Sequence, residues 1–132
     1  MAITRLNPDY ESRIAALEAR TLLSASGPSG TQTYTSGTIV SLVQLSVPSG
    51  LWIIHGWATI SPASNTQIRL LVTGSSTTIT SADRTEFTNA GRGIYHNMNF
   101  YNVSQTAPFY LNLQYEANGT WSYAGMRALK VR

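Results

Sequence analysis

Val47-Pro48-Ser49-Gly50-Leu51-Trp52-Ile53-Ile54-His55-Gly56-Trp57-Ala58-Thr59-Ile60 is the stretch on which the reading of this chain turns. A Pro-Ser-Gly turn opens it, and two of the three tryptophans follow. At a period of two, Leu51, Ile53, His55 and Trp57 share one side, and Trp52, Ile54, Gly56, Ala58 and Ile60 share the other. A half-buried strand alternates apolar with polar residues, whereas this run is apolar on both sides. Such a strand needs two covers. A second sheet of the same domain supplies one, and the other must come from elsewhere.

The flanking sequence is β throughout. Before the run, Val43, Leu45 and Val47 alternate imperfectly with Ser41, Gln44 and Ser46. After the loop Ser61–Asn65, Ile68, Leu70 and Val72 face inward and Gln67, Arg69 and Thr73 outward. Gly74-Ser75-Ser76 turns the chain into a weak Thr-rich segment, Thr77 to Thr80. Ser81 to Gly93 reads as a surface excursion with a short strand around Phe87. Ile94, Met98 and Phe100 then take one face, with Tyr95 and Tyr101 on the other. The cleanest alternation sets Phe109, Leu111, Leu113 and Tyr115 against Tyr110, Asn112, Gln114 and Glu116. Asn118-Gly119 predicts a type I′ hairpin into the last strand, Thr120 to Val131. About eight strands, with no helix between them and no βαβ unit, predict an all-β, antiparallel jelly-roll sandwich.

Upstream, Asn7-Pro8-Asp9-Tyr10-Glu11 reads as a capped helix start, which predicts a helix from about Pro8 to Leu22 or Leu23. Ile3, Asn7, Tyr10, Ile14, Leu17 and Thr21 follow heptad spacing, so Tyr10, Ile14 and Leu17 are the candidates for attachment and oligomerisation. Two heptads set register but do not hold an oligomer alone. Ser24-Ala25-Ser26-Gly27-Pro28-Ser29-Gly30 reads as a linker. The expected organisation is therefore helix 1–23, linker 24–30 and sandwich 31–132.

Composition narrows the function classes. The chain has 132 residues, 42 % of them hydrophobic, which is enough for one genuine core. Charged residues make up 11 %, against about 25 % in average globular proteins. The net charge of +3 comes from scattered Arg and Lys without a basic stripe, which argues against a nucleic-acid partner. Cysteine is absent, so disulfides, thiolate metal sites and a Cys nucleophile are excluded. MAITRLNPDYESR lacks the apolar segment of a signal peptide, and no run approaches the roughly 18 apolar residues of a membrane span. Synthesis in a cytoplasm and no membrane partner are the expectations.

No catalytic constellation stands out, and the expectation is no enzyme, no cofactor and no metal. The two histidines, His55 and His96, do not make a metal site by themselves. His55, in the most apolar strand, reads as a hydrogen-bonded core or interface residue. Asp83 and Glu86 share a polar loop with Arg84 and read as solvated. No Gly-x-Ser-x-Gly elbow or phosphate loop occurs. Tyr34, Tyr95, Tyr101, Tyr110, Trp121 and Tyr123 exceed what one core of this size needs; stacked aromatics either grip sugar rings, with Tyr95, Tyr101, Trp121 and Tyr123 as the candidates, or line a subunit interface.

LSVPSGLWIIHGWATIS (Leu45 to Ser61) and FYLNLQYEANGTW with MRALKVR (Phe109 to Arg132) carry a resemblance. With the short helix and Gly/Ser/Pro link before them, they resemble small trimeric structural proteins of tailed bacteriophages, whose heads are like the C1q/tumour-necrosis-factor sandwich. The resemblance implies packing about a three-fold axis, which would supply the second cover for Leu51 to Ile60. It implies a virion location, made in the host cytoplasm and exposed on the particle. The implied function is a non-enzymatic homotrimeric decoration protein on a capsid or tail, attached through its N-terminal segment. The partners would be further copies of itself and a major capsid or tail protein. Leu51, Ile53, His55, Trp57, Leu111 and Leu113 would then form the core or trimer interface. A receptor-binding head that takes a host surface glycan through Tyr95, Tyr101, Trp121 or Tyr123 is the alternative.

Overall fold

The computed structural model describes residues 9–13, which are helical, and residues 21–132. Ile14 and Leu17 of the expected helix lie outside the described residues. Among the described residues nine strands form two antiparallel sheets: β1 (Leu22–Ser26), β2 (Gln32–Tyr34), β3 (Val40–Val47), β4 (Gly50–Pro62), β5 (Thr66–Thr73), β6 (Thr85–Ala90), β7 (Gly93–Val103), β8 (Ala107–Tyr115) and β9 (Gly119–Lys130). Sheet A runs β1-β9-β4-β7, with β2 also paired to β9, and sheet B runs β3-β8-β5-β6. This interleaving, in which the chain crosses from sheet to sheet at most connections, is the jelly roll expected from the strand pattern.

Alternation decides what fills the space between the sheets. Trp52, Ile54, Ala58 and Ile60 of β4 meet Leu111, Leu113 and Tyr115 of β8 and Ile68, Leu70 and Val72 of β5 in one buried cluster. Gly56 sits in the same row, and a Cβ there would fall 2.6 Å from Leu111 Cδ1 and 3.1 Å from Val72 Cγ2. A side chain on β4 would have to displace both. Leu111 and Leu113 are thus core residues, whereas Leu51, Ile53, His55 and Trp57 lie on the opposite, outer face.

Two departures from the sequence reading have physical causes. Leu22–Ser26 is a strand and not the end of a helix followed by linker, because it pairs with Gly125–Leu129 and relieves β9 of an open edge. Leu23 and Ala25 pack on the core, and Lys130 N donates to the Thr21 carbonyl at 3.0 Å. β1 and β2 are two halves of one edge strand along β9, and residues 27–31, of which 27–30 belong to the expected linker, form the kink between them.

Asn118-Gly119 is not a type I′ hairpin. Neither residue has a positive φ, and β8 and β9 belong to different sheets. Glycine is needed at position 119 for closeness: a Cβ there would collide with the Ser61 carbonyl oxygen and would fall 2.8 Å from Pro62 Cα. β6 (Thr85–Ala90) is the short strand expected around Phe87, and residues 74–84 form the excursion that leads to it.

Two buried asparagines anchor that excursion. Asn97 Oδ1 accepts from Val72 N at 2.7 Å, just past the β5–β6 pairing, and Asn97 Nδ2 donates to the Asp83 carbonyl and Thr85 Oγ1, both at 2.9 Å. Asn112 Nδ2 donates to the carbonyls of Ser75 and Thr78 at 2.7 Å each. Each amide satisfies backbone groups that would otherwise be left without partners.

Leu113 tests the core assignment. Leu113→Ala is expected to cost about 2–5 kcal/mol, from lost transfer energy plus the cavity left between the sheets. A denaturation midpoint unchanged from the parent would contradict its placement.

Candidate functional site: the outer face of sheet A

Register places the outward side chains of sheet A in rows. Leu22, Leu129, Ile53 and Phe100 are directly opposite one another across β1, β9, β4 and β7. The next row is Ser24, Arg127, His55 and Met98, and the one after it Ser26, Gly125, Trp57 and His96. Ile94 faces Thr59 beyond them. Ile94, Met98 and Phe100 are 63 %, 58 % and 65 % exposed, and Leu22 is 60 % exposed. Directly opposed apolar pairs are the unit that stabilises a sheet face, and here a row of four meets solvent.

The centre of the face is aromatic and cationic. Gly125 lets the Trp57 ring lie flat on the sheet, because any Cβ at 125 would run into that indole. The Arg127 guanidinium lies over the same ring, 5.4 Å from its centroid. His55 Nε2 and His96 Nδ1 share a hydrogen bond of 2.9 Å, with ring planes 10° from parallel. Partial burial, then the neighbouring His96 and Arg127, hold His55 below the ordinary imidazole range. The strands of sheet A contain no Asp or Glu, so they add no carboxylate to these side chains.

The outer face of sheet B is different in kind. Arg69 bonds to Glu86 (3.2 Å), Gln114 (3.2 Å) and Gln67 (2.6 Å), and Arg84 forms a second ion pair with Glu86. Thr73 and Gln44 extend this polar surface. Asp83 and Glu86 therefore do not converge as paired acids; Glu86 is held by two arginines.

The aromatic residues proposed to hold a sugar do not share one exposed surface. Trp121 is buried in the core. Tyr95 packs edge-on against Phe87, and Tyr101 packs against Phe109, both between the sheets. The Tyr101 hydroxyl donates to the Val72 carbonyl. Tyr123 alone of the four is open, 79 % exposed. It sits at a bulge in β9, where the register shifts opposite Ala58 and its φ is +50°. Tyr10, from the helical residues, is also exposed.

The His55–His96 pair was not anticipated. It arises from the β4–β7 register, which sets His96 opposite Trp57 and so diagonal to His55. Reading the strands as neighbours would have been the one signal available. Among the described residues no group of three or more metal-binding side chains occurs, and no helix is long and apolar enough to cross a membrane.

No family model matches the chain, and no curated protein matches it in sequence. Among solved structures it is similar to VP2 of infectious bursal disease virus in a subviral particle, with TM-score 0.55 and 9 % identity over 87 % of this chain. It is similar also to the derived T=1 particles of that virus (TM-score 0.57, 8 % identity, 86 % of this chain) and to its Gt strain (TM-score 0.56, 8 % identity, 86 % of this chain). The chain spans about a third of the length of these proteins, covering 33 %, 32 % and 33 % of them respectively. At this identity the likeness is one of fold.

Since the folded chain disfavours protonation of His55, its stability is complete above the ordinary imidazole value of 6.5 and declines as pH falls below it. Proton NMR is expected to show His55 titrating below 6.5 in the parent and moving upward in Arg127→Gln, which removes a neighbouring cation. A His55 value unmoved by that substitution would show that the guanidinium is not close enough to matter.

Proposed function

We propose that this chain is a non-enzymatic virion structural protein that assembles through the outer face of sheet A. The observation that carries the reading is the solvent-facing row Leu22, Leu129, Ile53 and Phe100, continued by Met98, Trp57 and Ile94. It has the composition of an obligate interface core: apolar and aromatic, with an arginine and no acid.

A second copy of the chain is the occupant this face favours. A nucleic acid would need several cations, and a charged protein surface would need a matching ionic pattern; Arg127 is already engaged by its own Trp57. The sheet B face, with its internally paired arginines and glutamate, suits solvent. The similar solved structures, a subviral particle and T=1 particles, add support, since jelly rolls of this shape serve there in virus particles. The resemblance to tailed-phage proteins points to a homotrimer on a capsid or tail. In that arrangement the N-terminal segment, including Tyr10, Ile14 and Leu17, attaches it to the particle.

Light scattering coupled to gel filtration is expected to give three times the chain mass at micromolar concentration. Ile53→Arg or Phe100→Asp, each placing a charge in the exposed row, is expected to yield a folded monomer. A parent protein that runs as a monomer would sink the reading. Removal of residues 1–20, which leaves β1 whole, is expected to keep the trimer and abolish binding to the particle. Retained binding would move the attachment site to the sandwich.

A further inference from the structure

Two imidazoles and a guanidinium occupy the middle of an otherwise apolar face, and their surroundings are one-sided. The outward neighbours of the His55–His96 pair are Ile53 and Trp57 on β4, Met98 on β7, Arg127 and Gly125 on β9, and Ser24 and Ser26 on β1. Arg127 is the charged group among them, and the acids of the sequence lie outside the strands of sheet A.

The 2.9 Å contact between His55 Nε2 and His96 Nδ1 needs one N–H donor and one lone pair. One added proton leaves a donor on one ring and an acceptor on the other. A second sets two N–H groups against each other and breaks the bond. Each added charge also lies near Arg127, and the strands of sheet A hold no carboxylate to answer it. In a separate chain water solvates these cations, since His96 and Arg127 are exposed. In a contact between copies that water is removed, and an unpaired charge in apolar surroundings costs several kcal/mol. The penalty of acidification therefore falls mainly on the contact and less on the fold. The downward displacement of His55 is a small measure of the same effect, already felt in the isolated chain.

We propose that the outer face of sheet A forms a pH-gated contact between copies of this chain, closed while the His55–His96 pair is neutral and opened when the pair is protonated. The gate rests on the reading of this face as the self-association surface. It makes the two histidines regulators of assembly, with Arg127 as the fixed charge that sharpens their response.

The test is sedimentation velocity of the full chain at constant ionic strength from about pH 7.5 to about pH 5, across the range where imidazole titrates. The parent and the His55→Gln/His96→Gln double variant are compared, with circular dichroism reporting the fold at each pH. The parent is expected to be oligomeric at the upper end and to dissociate below the imidazole range. Its dissociation constant should rise about tenfold per pH unit for each proton taken up on dissociation, which for one proton per copy of a trimer is about a thousandfold, and recover on return to neutral pH. The double variant is expected to stay assembled throughout. Should it fail to fold, the exposed His96→Gln alone is expected to move the transition to lower pH. A parent oligomer that persists to the acid end overturns the gate and leaves the self-association reading standing. So does a variant that dissociates in the same window as the parent. A parent that is monomeric at about pH 7.5 overturns both.

Discussion

Leu111 occupies the space that the missing side chain of Gly56 leaves, and the sandwich is built around that fit. Strand β4 lies in the interior of sheet A and β8 in the interior of sheet B, so the approach of these two strands sets the spacing of the layers. With Gly56 at the contact, the larger residues on either side, Trp52, Ile54 and Ile60, interdigitate with Leu113, Tyr115 and Ile68 and leave little exposed. Tight fit at one point lets bulky side chains fill the rest of the layer. It also fixes the direction of every other β4 side chain: with the even positions inside, Leu51, Ile53, His55 and Trp57 are forced outward.

That forced direction gives the two outer faces unlike characters. Sheet B carries hydrogen-bonded arginines, glutamines and a glutamate, groups that are comfortable in water. Sheet A carries leucine, isoleucine, methionine, phenylalanine and tryptophan at directly opposed positions, around two histidines and one arginine. The difference follows from strand order and not from overall composition. Had β4 exchanged places with β5, the same residues would have faced a different surface.

The face assignments of β4, β5, β7 and β8 were legible in the sequence because alternation at period two is a local property. Val43, Leu45 and Val47 alternate imperfectly for a reason visible once pairing is known: β3 carries a bulge between Ser41 and Val43, which lets Leu42 and Val43 both turn inward. What escaped the sequence depends on partners far along the chain. Leu22 to Ser26 has no strand character of its own; β9 gives it one. Asn118-Gly119 has the composition of a hairpin, yet the strands it joins pair elsewhere. The His55–His96 contact, the centre of the candidate site, exists through register alone. The sugar-site aromatics misled for the opposite reason: their number suggested a surplus, but Trp121, Tyr95 and Tyr101 are absorbed by the space between two sheets.

The pairing of β4 with β9 has a kinetic side. β4 is flanked by β7 and β9, and Leu51 N donates to the Arg132 carbonyl, while Val131 N donates to that of Leu51. The most apolar strand thus receives its second neighbour only when residues 119–130 become available. During synthesis it waits, apolar on both sides, about thirty residues for β7 and about sixty for β9. Topologies dominated by such distant pairings fold slowly, and an unpaired apolar strand is the species that aggregates. The arrangement that leaves the finished chain with an apolar outer face makes the nascent chain vulnerable to aggregation, so yield in a heterologous host should depend on holding β4 apart until β9 arrives.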